Sequence, residues 1–140
     1  MSELVNKSEI NYYSAALLHD KAHYPSVAHC SYYSCYQLFR HIWFYNMGKT
    51  ESDLKFIIDN SKDKKAEKKG SHDVLINEIQ KFIKENNSND FRVINSNMIQ
   101  LKKLRSSADY EDKAFLYNDS LNSIHLSDNL RPVLKKYLHK

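Results

Sequence analysis

The chain has 140 residues and a formal charge of +4, enough for one domain around a single core but short of the dense basic footprint of a dedicated DNA-binding protein. Two glycines and two prolines leave too little turn chemistry for an all-β fold and favour long helices joined by polar loops. No apolar run approaches the roughly 18 residues of a membrane span, and the opening MSELVNKSEI has none at all, so a cytoplasmic protein without a membrane contact is expected.

The predicted fold is a single all-α domain over residues 1–140, a four- to five-helix up-and-down bundle. A first helix starts at Ser2 or Ser8 as N-cap and runs through INYYSAALLHDKA, with Ile10, Tyr13 and Leu17 as its apolar positions, beside Ala16 and Leu18. Pro25 breaks it and opens the second helix, which Gly48 ends. That second helix is the most aromatic stretch. Ala28, Tyr32, Cys35, Phe39, Ile42 and Trp43 form its stripe, widened by Tyr33, Tyr36, Phe44 and Tyr45. So broad a face predicts more than one neighbour, with a second subunit covering what one chain leaves open.

From Lys49 the pattern weakens: LKFII is a short apolar anchor, and the lysine-rich run from Asp59 to Gly70 reads as a solvated, mobile connection with a partly helical tail. Ser71 caps an amphipathic helix with Val74, Leu75, Ile79, Phe82 and Ile83 inward. A further helix from about Asp90 to Glu111 carries Phe91, Ile94, Met98, Leu101 and Leu104. The last, about Asn118 to Leu138, is interrupted by Pro132.

The chemistry gathers in Leu101 to Lys113, LKKLRSSADYEDK. Arg105 is one of four arginines against seventeen lysines, and its planar fork suits phosphate or carboxylate as lysine's point charge does not. Asp109, four residues on, shares its helix face. Tyr110, five on, is rotated from Arg105 by about 140° and joins the pair through a distorted helix end or a second subunit. On residue types alone the favoured reading of Arg105 and Asp109 is an ion pair tying down a helix end. Lys102 and Lys113 are candidate phosphate contacts, and His72, at a helix start, is a candidate basic group in a cleft. His19 and His23 lack the further ligands a metal site needs, Cys30 and Cys35 read as packing thiols of a reducing compartment, and no glycine-rich phosphate loop or hydrolase elbow is present. No metal or cofactor is expected.

Two stretches resemble the compact stand-alone branch of the HEPN family. One is AALLHDKAHYPSVAHCSYYSCYQLFRHIWF, Ala15 to Phe44, with its Tyr32-Tyr33 pair; the other is LRSSADY, Leu104 to Tyr110, similar to the R-x-x-A-D-Y signature. The resemblance implies a small helical bundle and a homodimer that brings two copies of the arginine motif to a shared cleft. It also implies RNA or nucleotide binding, with metal-independent RNA cleavage in members of toxin or phage-defence systems. Ribonucleolytic members place a histidine four to six residues after the arginine. Here Tyr110 holds that place and the next histidine is His125; a phenol is a poor proton shuttle at neutral pH. In the resulting reading Arg105, Asp109 and Tyr110 are catalytic and Lys102, Lys113 and His72 bind substrate. The alternative is a non-catalytic dimeric module that partners a nucleotidyltransferase or other protein through its aromatic helix.

Overall fold

The computed structural model describes residues 2–60 and 70–139, so residues 61–69 of the expected lysine-rich connection lie outside the described residues. Six α-helices and no strand are found among the described residues: α1 Glu3–Asp20, α2 Tyr24–His41, α3 Glu51–Asp59, α4 Ser71–Asn86, α5 Ser88–Tyr110 and α6 Tyr117–Lys135. The all-α prediction holds. No described helix is long and apolar enough to cross a membrane.

Ser2 caps α1, its hydroxyl accepting from the Val5 N–H at 3.3 Å. The helix closes with Ala22 at φ 59° and the His23 N–H donating to the Leu18 carbonyl at 2.9 Å, a left-handed stop that turns the chain back into α2. Pro25 then sits in the first turn of α2, where its missing N–H matters least.

α2 is the central helix, packed against α1, α6, α5 and α4. Val27, Ala28, Tyr32, Cys35, Leu38, Phe39 and Ile42 are fully enclosed. The helix runs on through a π-helical turn, Ile42–Asn46, and stops at Gly48, whose φ of 65° a side chain would strain. Trp43 turns inward there, its indole N–H donating to the Thr50 carbonyl at 2.9 Å. The expectation that one chain cannot cover this aromatic face is overturned. Tyr32, Tyr36, Phe39 and Trp43 are buried, Tyr33 and Phe44 half-buried, and Tyr45 alone of the set is exposed.

The cover comes from α1, α6, α5 and α4, and a further helix that the weak pattern concealed packs on α4. Thr50 and Asp53 form a reciprocal capping box that starts α3, and α3 presses Leu54 into the core beside α4. α4 begins one residue earlier than a Ser71 cap requires, with Gly70 in the cap position. α6 continues to Lys135 with Pro132 on its exposed side instead of breaking there.

α1 is turned the other way from its prediction. Val5, Ser8 and Ala15 face the core, whereas Ile10, Tyr13 and Leu17 are 56%, 63% and 67% exposed. Small residues permit close approach of the backbones: the Ser8 hydroxyl donates to the Ser34 carbonyl of α2 at 2.5 Å. Ser120, Ser123 and Ser127 of α6 are likewise buried, and Arg131 among them is held by Glu9 of α1 at 2.7 Å.

Candidate functional site

The inward stripe of α5 runs Ile94, Met98, Leu101 at helical spacing, all buried. The next position on that stripe is Arg105. An arginine in an apolar register must lie against a neighbouring element, and its guanidinium carbon sits 4.6 Å from the centroid of the buried Tyr32 ring of α2. Its side chain is 14% exposed. Burial opposes the guanidinium charge, but the surrounding Tyr32, Tyr33 and Tyr110 phenols outweigh it, so the charge is retained.

Asp109 follows one turn later. Its Oδ2 lies 3.6 Å from Arg105 Nη1 and 3.3 Å from His29 Nδ1 of α2, so one carboxylate oxygen faces two bases. A carboxylate only accepts, so in this contact the imidazole proton is on Nδ1. His29 Nε2 is left without a hydrogen-bond partner among the described residues, on a ring that is half exposed and tilted against Tyr33 at 4.7 Å. Sequence reading missed His29. It stands eighty positions from Asp109 and nothing local marks it.

Tyr110 meets Arg105 within one chain, its ring centroid 5.7 Å from the guanidinium carbon, and the ring is 76% exposed. The expectation that a distorted helix end or a second subunit is required to join the two is therefore overturned, since α5 is regular through Tyr110. Helical side chains lean toward the N-terminus, so a long arginine and the tyrosine just before the helix end span the angle between their Cα directions. α5 ends there, with Glu111 in extended conformation.

His72 approaches from the start of α4 and stacks on Tyr36 with ring centroids 3.9 Å apart, while its Nδ1 lies 3.2 Å from the Tyr32 hydroxyl. Burial, with Arg105 second, lowers its pKa, so the ring is held neutral. Burial pushes the Tyr32 phenol far up, against the pull of Arg105. Tyr32 thus joins His72 to Arg105: the hydroxyl bonds one and the ring carries the other. His72 is a supporting group behind the arginine.

The two lysines stand elsewhere. Lys102 pairs with Asp73 of α4, and Lys113 lies 3.5 Å from Glu111. Both line a groove of about 870 Å³ with Lys103, Ser106 and Ser107, and Arg105 is not among its lining residues. The structure therefore brings Arg105, Asp109 and Tyr110 together, adds His29 in front and His72 behind, and leaves Lys102 and Lys113 on a neighbouring surface.

His19 Nδ1 is within 2.7 Å of the Ser120 hydroxyl, and among the described residues no group of three or more His, Cys, Asp or Glu is placed to hold a metal ion. Cys30 and Cys35 are free thiols, and burial pushes Cys35 up to about 12, out of reach of thiolate chemistry. No family model, no curated protein and no solved structure matches the chain. The HEPN resemblance thus rests on its two sequence stretches.

Proposed function

We propose that the Arg105 face binds single-stranded RNA at a backbone phosphate and cleaves it without a metal ion. The observation that carries this reading is the single Asp109 oxygen facing both Arg105 Nη1 and His29 Nδ1. It sets a phosphate-binding cation next to a histidine whose second nitrogen is open. Arginine neutralises phosphate oxygens and the charge that grows on pentavalent phosphorus. Histidine titrates in the physiological range and serves as the general base.

In the proposed reaction His29 Nε2 takes the proton of the ribose 2′-hydroxyl, and the oxygen attacks the adjacent phosphorus. Asp109 steadies the imidazolium that forms. The bond to the 5′-oxygen breaks, that oxygen takes a proton from solvent, and the products carry a cyclic 2′,3′-phosphate and a 5′-hydroxyl. Tyr110, largely exposed beside the arginine, offers a ring on which a base can stack. His29 thus fills the role for which the R-x-x-A-D-Y stretch has no histidine, and the constellation is complete within one subunit.

The reading in which α2's aromatics dock a nucleotidyltransferase loses its premise, because those aromatics are largely enclosed within the chain. The test is incubation of single-stranded RNA with the wild type, Arg105→Ala and His29→Ala in EDTA. Cyclic phosphate ends from the wild type, lost in both variants while His29→Ala still binds RNA, are expected. Equal cleavage by all three, or none by the wild type, overturns the nuclease assignment.

A further inference from the structure

A small pocket at the start of α4 has no part in the proposed chemistry. Its volume is about 120 Å³, and its polar lining is Tyr36 and Arg40 of α2, Glu51 of α3, and Ser71 and His72 of α4. Arg105 does not line it. α4 is 16 residues long and starts on Gly70, which has no side chain to cap it. Its first bonds run from the Asp73 and Val74 N–H groups to the Gly70 carbonyl, so the Ser71 and His72 N–H groups have no partner within the helix. Such a start favours an anion.

A second observation points the same way. Tyr36 is 6% exposed, yet its hydroxyl has no hydrogen-bond partner among the described residues. After burial, which raises its pKa, the charges that act most on this phenol are those of Arg40 and Glu51, so the hydroxyl is aimed at the charged rim of the pocket. His72 stacks on Tyr36; its Nδ1 faces the Tyr32 hydroxyl, and its Nε2 has no partner among the described residues. Arg40 and Glu51 pair at the rim, both open to solvent.

We infer that this pocket binds one tetrahedral oxyanion, either the free phosphate ion or the phosphoryl end of a phosphomonoester. Arg40 leaves Glu51 for the ion, and the Tyr36 and Ser71 hydroxyls and the two free N–H groups donate to it. The volume is well below the roughly 300 Å³ at which pockets for drug-sized molecules begin, so a nucleoside does not fit. Burial first and Arg105 second, with Arg40 and Lys102 adding, lower the His72 pKa, and Asp73 opposes them. A bound dianion, stronger than the Glu51 carboxylate across the pocket, shifts that ring toward imidazolium, whose Nε2 then donates as well. The site requires neither Arg105 nor RNA.

The experiment is amide and histidine NMR of the full chain near neutral pH and low ionic strength, titrated with inorganic phosphate, with methyl phosphate and with sodium chloride. Phosphate or its methyl ester should shift the Ser71 and His72 amides saturably and raise the His72 pKa, while chloride does neither; the tighter of the two identifies the free ion or the ester as the natural source. Arg40→Gln should weaken binding at least about tenfold and Tyr36→Phe roughly threefold. Glu51→Gln should tighten it roughly threefold by freeing Arg40, a gain that a misfolded variant would not give. Arg105→Ala should leave it unchanged. No saturable shift at Ser71 and His72, equal shifts with chloride, or an affinity indifferent to Arg40→Gln overturns the inference. Binding that disappears in Arg105→Ala instead assigns the ion to the arginine face and overturns it equally.

Discussion

Arg105 and Arg131 have much in common and differ where it counts. Each lies over a tyrosine ring, at 4.6 Å from Tyr32 and 4.3 Å from Tyr12, and each leaves its Nε buried without a partner. An orphaned Nε therefore does not distinguish them. The outer nitrogens do. Arg131 Nη2 holds Glu9 at 2.7 Å and Ser8 at 3.3 Å, Lys135 closes on the same Glu9 oxygen at 2.8 Å, and the side chain is 6% exposed. Arg105 has a looser carboxylate contact at 3.6 Å, more than twice that exposure, an open histidine and an exposed phenol. A structural arginine is surrounded by groups that use its donors; one suited to a ligand keeps donors at a rim. The comparison assigns Arg131 to folding and leaves Arg105 as the one whose donors stand at a rim, as the proposed phosphate contact requires.

The largest effect that sharpens this contrast is in stability. Arg131→Ala leaves Glu9 facing Lys135 alone and empties a buried position between α1 and α6, so it should cost about 3 kcal/mol in denaturant unfolding. Arg105→Ala should cost about 1 kcal/mol or less, since its losses are a cation–π contact and a loose ion pair. Equal destabilisation by the two would erase the distinction. The second effect is in binding: Arg105→Ala should weaken single-stranded RNA binding at least about tenfold, whereas folded Arg131→Met should bind like the wild type in fluorescence anisotropy.

Smaller effects follow from titration. Lys135, then Arg131, hold the Glu9 carboxyl below its ordinary 4.5, against the opposing effect of burial. Its contribution is therefore present above pH 4.5 and is lost as pH falls through the lowered folded value. Glu9→Gln should flatten stability against pH on the acid side, and an unchanged acid slope would remove Glu9 from the Arg131 knot. His72 supplies the smallest effect. Its folded pKa is lowered by burial from 6.5, so the stability tied to its neutral ring is complete above that value and declines as acid charges it. His72→Gln should reduce the loss of stability just below pH 6.5 in equilibrium melts.

Much of this was legible in the residues. The α5 stripe, read as Phe91, Ile94, Met98, Leu101 and Leu104, placed the Arg105 cluster near the helix end, and the four-residue spacing already put Asp109 on the face of Arg105. α2 read correctly as the central helix because its pattern is long and bounded by Pro25 and Gly48. α3 was missed although Thr50 and Asp53 have capping-box spacing, because nine residues give too little periodicity to notice. α1 read backwards for a physical reason: hydrophobicity favoured Ile10, Tyr13 and Leu17 inward, but the fold is decided by close contact through Ser8 and Ala15 and by the Glu9–Arg131 pair. His29 was out of reach, because only tertiary packing of α2 on α5 carries it to Asp109.

The most direct measurement of the central claim is the salt dependence of single-stranded RNA affinity for the wild type and Arg105→Ala. If Arg105 contacts a phosphate, its removal should weaken binding and lower the slope of log affinity against log salt by about 0.7. The same affinity and the same slope from both proteins would contradict the account.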